Sequence, residues 1–143
     1  MRESAINWDE HEPTTREEFA NSVSHGAAFI AALAAGPVLV SSAIESGNET
    51  HTLGATVFAT VMILLYLAST LSHALPRRWG KRLFDNLDHT AIFLMIAGSY
   101  TPFMLGAMRG VWGWTLLTAV WALAAAGITL LWTGRLRSII YKV

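Results

Sequence analysis

The sequence predicts an all-α integral membrane protein, and two observations support that prediction. Hydrophobic residues make up 53% of the 143 residues and charged residues only 14%, whereas an average soluble domain carries about 25% charged residues. The apolar residues also form four blocks without Asp, Glu, Lys or Arg, at residues 23–44, 53–75, 90–108 and 111–133. A run of about 20 apolar residues can cross a bilayer as a helix. A soluble helix bundle would need a polar face on each helix, which these blocks lack.

The elements can be placed in order along the chain. Residues 1–15 are expected to form a cytoplasmic N-terminal segment, followed by a transmembrane region over residues 16–143. Thr15 and Glu18 have the spacing of a helix capping box, which predicts a helix that runs on into the first span.

Glycine, asparagine and proline mark the connections between the four spans. Gly47 and Asn48 predict the turn after the first span, and Pro76 predicts the end of the second. Gly110 leaves almost no loop between the third and fourth spans, so these two helices are expected to be antiparallel neighbours.

The distribution of charge predicts the orientation and excludes some functions. All ten basic residues except Arg109 fall on one side of the membrane if the four spans alternate, and this side is expected to be cytoplasmic. We therefore expect a multi-pass protein of the bacterial inner membrane with a cytoplasmic N-terminus. The formal net charge of zero excludes nucleic-acid binding through bulk positive charge. The absence of cysteine excludes disulfides and thiolate metal sites. Membrane lipids are the expected partners, and a homo-oligomer is left open.

Seven polar side chains lie within or beside the apolar blocks, near the predicted cytoplasmic end. They are Glu18, Asn21 and His25 at the first span, Ser69 and His73 at the end of the second, and Asp88 and His89 at the start of the third. Helical spacing places the first three on one face, and likewise the Ser–His pair. Ionisable residues at membrane depth are costly and commonly functional. We expect Ser69, His73 and Asp88 to line one cavity that faces the bundle interior.

Several kinds of chemistry fit these residue types. Neutral imidazole suits Zn²⁺, which in catalytic sites takes three protein ligands and a water that a carboxylate can orient or deprotonate. Nucleophilic catalysis by Ser69 with His73 is less favoured, since no oxyanion-stabilising donor can be identified. Purely structural roles are the alternative: Glu18 can complete a helix cap, Ser69 can bond to its own helix, and His89 can be a hydrated interface residue.

Three segments resemble the hemolysin III family, which belongs to the PAQR superfamily together with the adiponectin and progestin receptors. These segments are EEFANSVSHG, LLYLASTLSHAL and LFDNLDHTAIFLMIAGSYTPF, and the resemblance covers nearly the whole chain after residue 15. It implies a bundle of seven transmembrane helices with a cytoplasmic N-terminus. It also implies that His73 is a zinc ligand, with Ser69 and Asp88 beside the metal as candidate catalytic residues.

The chain departs from the family in one respect. The family supplies two further zinc-binding histidines from an HxxxH motif in its last helix, and this sequence has no such motif. The chain is therefore expected to be an N-terminal portion that lacks about three helices and binds no zinc alone, although zinc is expected in full-length relatives. His25 and His89 are the alternative ligands.

Three functions remain open at this point. The first is membrane-lipid homeostasis or sensing. The second is zinc-dependent hydrolysis of a lipid amide, since the superfamily resembles the alkaline ceramidases in its Ser, Asp and His pattern; this chain alone is then expected to be inactive. The third is a pore-forming cytolysin, as the family name implies. A wide pore is disfavoured, because the polar groups lie at one end of the spans instead of along a whole helix.

Overall fold

Four antiparallel α-helices make up the structure, a computed structural model that describes residues 14–75, 80–108 and 110–135. Helix α1 spans Thr15–Glu45, α2 spans Glu49–Ala74, α3 spans Lys81–Gly106 and α4 spans Val111–Trp132. The predicted all-helical membrane architecture is confirmed. Most of the predicted N-terminal segment, Pro76, Arg109 and residues 136–143 lie outside the described residues.

Helix α1 begins one residue earlier than the capping box predicted from Thr15 and Glu18. Thr14 is the N-cap: its N–H donates to Oε2 of Glu17 at 2.7 Å, and its Oγ1 accepts from the N–H of Glu17 at 3.3 Å. The prediction was wrong because the two overlapping Thr–Glu pairs have the same spacing in the sequence. The cap at Thr14 leaves Glu18 inside the first turn, where its carboxylate reaches other helices.

The predicted turns are found where the sequence placed them. Gly47 has a φ of +65°, a left-handed conformation that favours glycine. Asn48 follows as the N-cap of α2, and its Oδ1 accepts from the N–H groups of Thr50 and His51. Gly110, with a φ of +96°, directly precedes α4.

Helix α3 extends further toward the preceding loop than expected. The predicted span begins at residue 90, but the helix begins at Lys81, after Gly80 in a left-handed conformation with a φ of +66°. Among the described helices, α1, α2 and α4 are long and apolar enough to cross a membrane. Helix α3 has 26 residues but is not one of these three helices. His89 and residues 99–102 lower the mean hydropathy of its apolar part.

Small residues bring neighbouring helices close together. A Cβ atom at Gly98 of α3 would overlap with the side chain of Val61 on α2, and one at Gly54 would lie 2.7 Å from Cα of Pro102. Lipid tails are as apolar as leucine, so helices in a membrane gain stability from close van der Waals packing at small residues. The helices α2 and α3 are therefore closely packed at these two glycines.

The helices form an open row. In the described part of the chain, the backbones of α1 and α2, of α2 and α3, and of α3 and α4 approach one another closely, and no other pair does; Lys81 of α3 reaches Glu18 of α1 through its side chain. The outer helices consequently bury little: Ala32 and Gly36 in α1, and Gly113 and Ala124 in α4. The described helices do not close into a bundle with a central interior. The site that was expected to face such an interior lies instead at the junction of α1, α2 and α3.

Candidate functional site

The polar side chains collect at one end of the row, where α1 and α3 begin and α2 and α4 end. We call this the Glu18 end, and the other the Asn48 end. Eight residues of α1, α2 and α3, here called the polar cluster, are joined there by hydrogen bonds and ring contacts. They are Glu18, His25, Ser69, Ser72, His73, Lys81, Asp85 and Asp88.

Glu18 and His73 form the central contact between α1 and α2. The Nδ1–H of His73 donates to Oε2 of Glu18 at 2.6 Å, and the two side chains are only 21% and 17% exposed. An ionised carboxylate can only accept, so Nδ1 of His73 carries a proton. Nε2 is the ring nitrogen that Glu18 does not engage, and in the neutral tautomer this nitrogen is the one that can accept a hydrogen bond or bind a metal.

His25 lies two turns further along the same face of α1 and contacts three residues of α2. Its Nδ1 shares a hydrogen bond with Oγ of Ser69, a residue that is 3% exposed. Its ring meets that of His73 edge to face, with centroids 5.7 Å apart, and that of Tyr66 at 6.3 Å. The two histidines are therefore neighbours whose Nδ1 atoms are bound to different partners.

Asp88 joins the cluster through a residue that the sequence analysis did not single out. The hydroxyl of Ser72, which is 1% exposed, lies 2.9 Å from the carbonyl oxygen of Ser69 and 3.4 Å from Oδ2 of Asp88. Asp88 is half-buried. Its closest link to α2 is therefore Ser72, instead of the expected Ser69 or His73. Ser72 follows Ser69 at a helical spacing of three, the one sequence signal that could have identified it.

Lys81 is the second residue missing from the sequence prediction. Its Nζ donates to the carbonyl oxygen of Ser72 at 2.6 Å and to Oε1 of Glu18 at 3.3 Å, and lies 3.3 Å from Oδ1 of Asp85. The sequence analysis counted this residue only as part of a basic loop. Its position at the start of a helix, four residues before Asp85, is the signal that could have placed it in the site.

Asn21 and His89 differ from the other predicted residues. Asn21 is half-buried on the same stretch of α1 as Glu18. His89 is exposed, and its Nδ1–H donates to the carbonyl oxygen of Asp85 at 2.6 Å, within its own helix. The structure thus brings Ser69, His73 and Asp88 to one end of the row with Glu18 and His25, and leaves His89 outside the contacts.

The donor set does not match a complete zinc site. A catalytic zinc takes three protein ligands, and the described residues contain no group of three His, Asp or Glu side chains that could hold a metal ion. The Nδ1 atoms of His25 and His73 are already bound to Ser69 and Glu18. His89, the other alternative ligand, bonds to its own helix. These residues therefore support no chemical step that passes through a zinc ion.

A crevice of about 410 Å³ lies at the Asn48 end, apart from the polar cluster. Its lining is mostly apolar, with two serines and one histidine: Leu39, Ser42, Ala43, Ser46, His51, Ala55, Phe58 and Pro102. It includes none of the predicted site residues, so the two ends of the row differ in chemistry.

Comparison with known proteins identifies similar sequences. The family described as "Haemolysin-III related" matches residues 14–141. A protein named Hemolysin-3 from Bacillus cereus is 44% identical over 113 residues, which cover 79% of this chain and 52% of the relative. A Hemolysin-3 homolog from Bacillus subtilis is 41% identical over 115 residues, which cover 80% of this chain and 54% of the relative. The chain thus spans about half the length of these curated relatives. No solved structure matches it.

Proposed function

The chain belongs to the haemolysin-III-related family, and we propose that it acts in membrane-lipid homeostasis or lipid sensing, with the polar cluster as its lipid-recognition site. The observation that carries this proposal is the confinement of the cluster to the Glu18 end of three otherwise apolar helices. We further propose that this end faces the cytoplasm in the bacterial inner membrane, because the basic residues concentrate there.

The chemistry of the cluster suits a lipid headgroup. It offers an imidazole in His73, which contacts Glu18 through Nδ1, and a half-buried carboxylate in Asp88. These groups can hydrogen-bond to the hydroxyl, amide or amine groups of a headgroup. Much of the remaining surface of the row is apolar, with large exposed side chains such as Phe19, Val111 and Leu123, and this surface suits lipid tails. A molecule with one polar end and an apolar remainder matches both regions.

Hydrolysis of a lipid amide is the second candidate. Ser69, His73 and Asp88 at one end of the row, with Glu18 on the imidazole, supply hydroxyl, carboxylate and imidazole groups of the kind that hydrolases use. The described residues do not complete a three-ligand metal site. This activity, if present, would therefore be a property of the longer family members.

A pore-forming cytolysin is the third candidate, favoured by the name of the Bacillus cereus relative. An aqueous pore needs polar groups along its whole length. Apart from four serines and His25, α1 is apolar between residues 22 and 44, and the polar cluster does not continue through the row to the Asn48 end. This distribution favours a site at one membrane surface over a conduit.

One reconstitution separates the three functions. The purified chain, its His73→Ala variant and a His51→Ala control from the Asn48 end are placed in liposomes of mixed phospholipids and a lipid amide. We expect lipids to be retained selectively by headgroup on repurification, with selectivity lost in His73→Ala and kept in His51→Ala. Dye leakage from the liposomes would favour the cytolysin, and chelator-sensitive cleavage of the lipid amide would favour the hydrolase. Equal retention of all lipids by all three proteins would overturn the proposal.

A further inference from the structure

We propose that Lys81 is a positioning residue of the polar cluster: its ammonium group ties α1, α2 and α3 together and holds Glu18 against His73. This inference depends on the proposed function only for its consequence in lipid recognition. The role of Lys81 itself is inferred from the contacts of Lys81 with its three partners.

The ammonium group of a lysine has three N–H donors and no acceptor. Around Lys81 there are three acceptors, one from each helix. The carbonyl oxygen of Ser72 on α2 is 2.6 Å from Nζ, Oε1 of Glu18 on α1 is 3.3 Å away, and Oδ1 of Asp85 on α3 is also 3.3 Å away. The number of donors therefore equals the number of acceptors, and through Glu18 and Ser72 this one side chain of α3 joins all three helices.

The amino-acid sequence explains why the carbonyl group of Ser72 needs a hydrogen-bond donor from outside its own helix. Helix α2 ends at Ala74, so the carbonyl groups of its last turn lack partners within the helix. The carbonyl of Ser72 would be paired with the N–H of residue 76, but that residue is proline and has no N–H. Lys81 supplies the missing donor, and its positive charge is favourable beside the negative end of the helix dipole.

Glu18 is held from two sides. Its Oε1 faces Lys81 and its Oε2 accepts from His73. The side chains of Glu18 and Lys81 are 17% and 19% exposed, so their attraction is screened less by water than that of a surface pair. Without the ammonium, one carboxylate oxygen would lose its partner, and the carboxylate could rotate away from His73.

A spectroscopic test follows the imidazole of His73 directly. The whole chain is labelled with ¹⁵N-histidine and studied in lipid nanodiscs, and each ring signal is assigned by a single His→Gln substitution. Lys81→Met removes the charge at similar length, Lys81→Arg keeps it, and Arg82→Met is the matched control because Arg82 is an exposed neighbour.

We expect Lys81→Met to shift the ring-nitrogen signals of His73 and to leave those of His51, at the Asn48 end, unchanged. Lys81→Arg should restore the His73 signals at least in part, and Arg82→Met should change neither histidine. His73 signals that are identical in Lys81→Met and the unmodified chain would overturn the proposal. A shift of every histidine indicates a general loss of structure, and the second measurement below then decides the question.

A second measurement covers the case in which Lys81→Met does not fold. The double variant Glu18→Gln with Lys81→Met removes both charges of the ion pair between these two side chains, so neither partner of that pair is left as an unpaired ion. We expect the double variant to have a higher unfolding temperature than Lys81→Met alone, whereas independent roles would make the losses add. Neither measurement uses a lipid ligand. Shifted His73 signals in Lys81→Met, together with normal lipid retention by His73→Ala, would therefore reject the proposed function and keep the role of Lys81. Unchanged His73 signals in Lys81→Met, together with lost lipid selectivity in His73→Ala, would reject the role of Lys81 and keep the proposed function.

Discussion

Glu18 and His73 are 55 positions apart in the chain, and the Nδ1 atom of the histidine lies 2.6 Å from Oε2 of the glutamate. This hydrogen bond connects the first turn of α1 to the last turn of α2. It requires a proton on Nδ1 of the imidazole and leaves Nε2 as the ring nitrogen that Glu18 does not engage.

The first prediction concerns the charge of Glu18. Glu18→Gln removes the ion pair with Lys81 and weakens the bond to His73. The free energy of unfolding should therefore fall by about 1–3 kcal/mol, the range for hydrogen bonds to charged groups. Thermal unfolding in detergent measures this loss. Glu49→Gln, at an exposed position in the first turn of α2, is the control and should cost about 0.5 kcal/mol. Equal losses in the two variants would contradict the central role given to Glu18.

The second prediction concerns the close approach of α2 and α3. Gly98→Ala places a Cβ atom against Val61 and should destabilise the chain by about 1–3 kcal/mol through overpacking. Adding Val61→Ala provides space for the methyl group and should recover part of the unfolding temperature. In Gly26→Ala the new Cβ would lie 3.6 Å from Cγ2 of Thr70, an ordinary contact, so this variant should be neutral or slightly stabilising. A double variant no more stable than Gly98→Ala alone would show that this contact does not determine the spacing of the helices.

The third prediction concerns orientation. Reporter fusions after Gly47 and after Gly110 should read outside the cytoplasm, and fusions after Gly80 should read inside it, because the basic residues other than Arg109 lie on the inner side. The paired use of alkaline phosphatase and a fluorescent protein gives opposite signals at each position. An external reading at Gly80 would reverse the orientation and place the polar cluster on the outer face.

The fourth prediction concerns metal. The 143-residue chain, purified without chelator, should contain much less than one zinc per molecule, because both imidazoles of the cluster already bind other side chains through Nδ1 and the described residues supply no three-ligand site. Elemental analysis of the chain and of His73→Ala provides the measurement. One zinc per chain that is lost in His73→Ala would mean that other residues, or a second copy of the chain, complete the site.

Sequence patterns predicted the parts of the site that depend on a single helix. The spacing of Glu18 and His25 on α1, and of Ser69 and His73 on α2, follows from helix geometry alone. Block length and hydrophobicity likewise predicted four helices with turns at Gly47 and Gly110. These features require no knowledge of which helices are neighbours.

Contacts between helices could not be predicted in the same way. The bond of Ser72 to Asp88 depends on the rotation of α2 against α3, which a single sequence does not encode in any simple period. Lys81 was interpreted as part of a loop because the helix start at Gly80 uses backbone conformation instead of a capping side chain. The sequence predicted Thr15 as the N-cap of α1, whereas the structure has Thr14, because both threonines have a glutamate three residues later and spacing alone does not distinguish them.

The open row of helices also bears on how the chain assembles. In the part of the chain that the structure describes, the backbone of each helix approaches only the helices next to it in sequence. Apart from the side-chain contact between Glu18 of α1 and Lys81 of α3, packing therefore joins consecutive helices, a topology that favours rapid folding. Each new helix can dock on its predecessor as soon as it leaves the ribosome and enters the bilayer. The contacts of Glu18 and Lys81 at the polar cluster would thus form in order of synthesis, the first when α2 is inserted and the second when α3 begins.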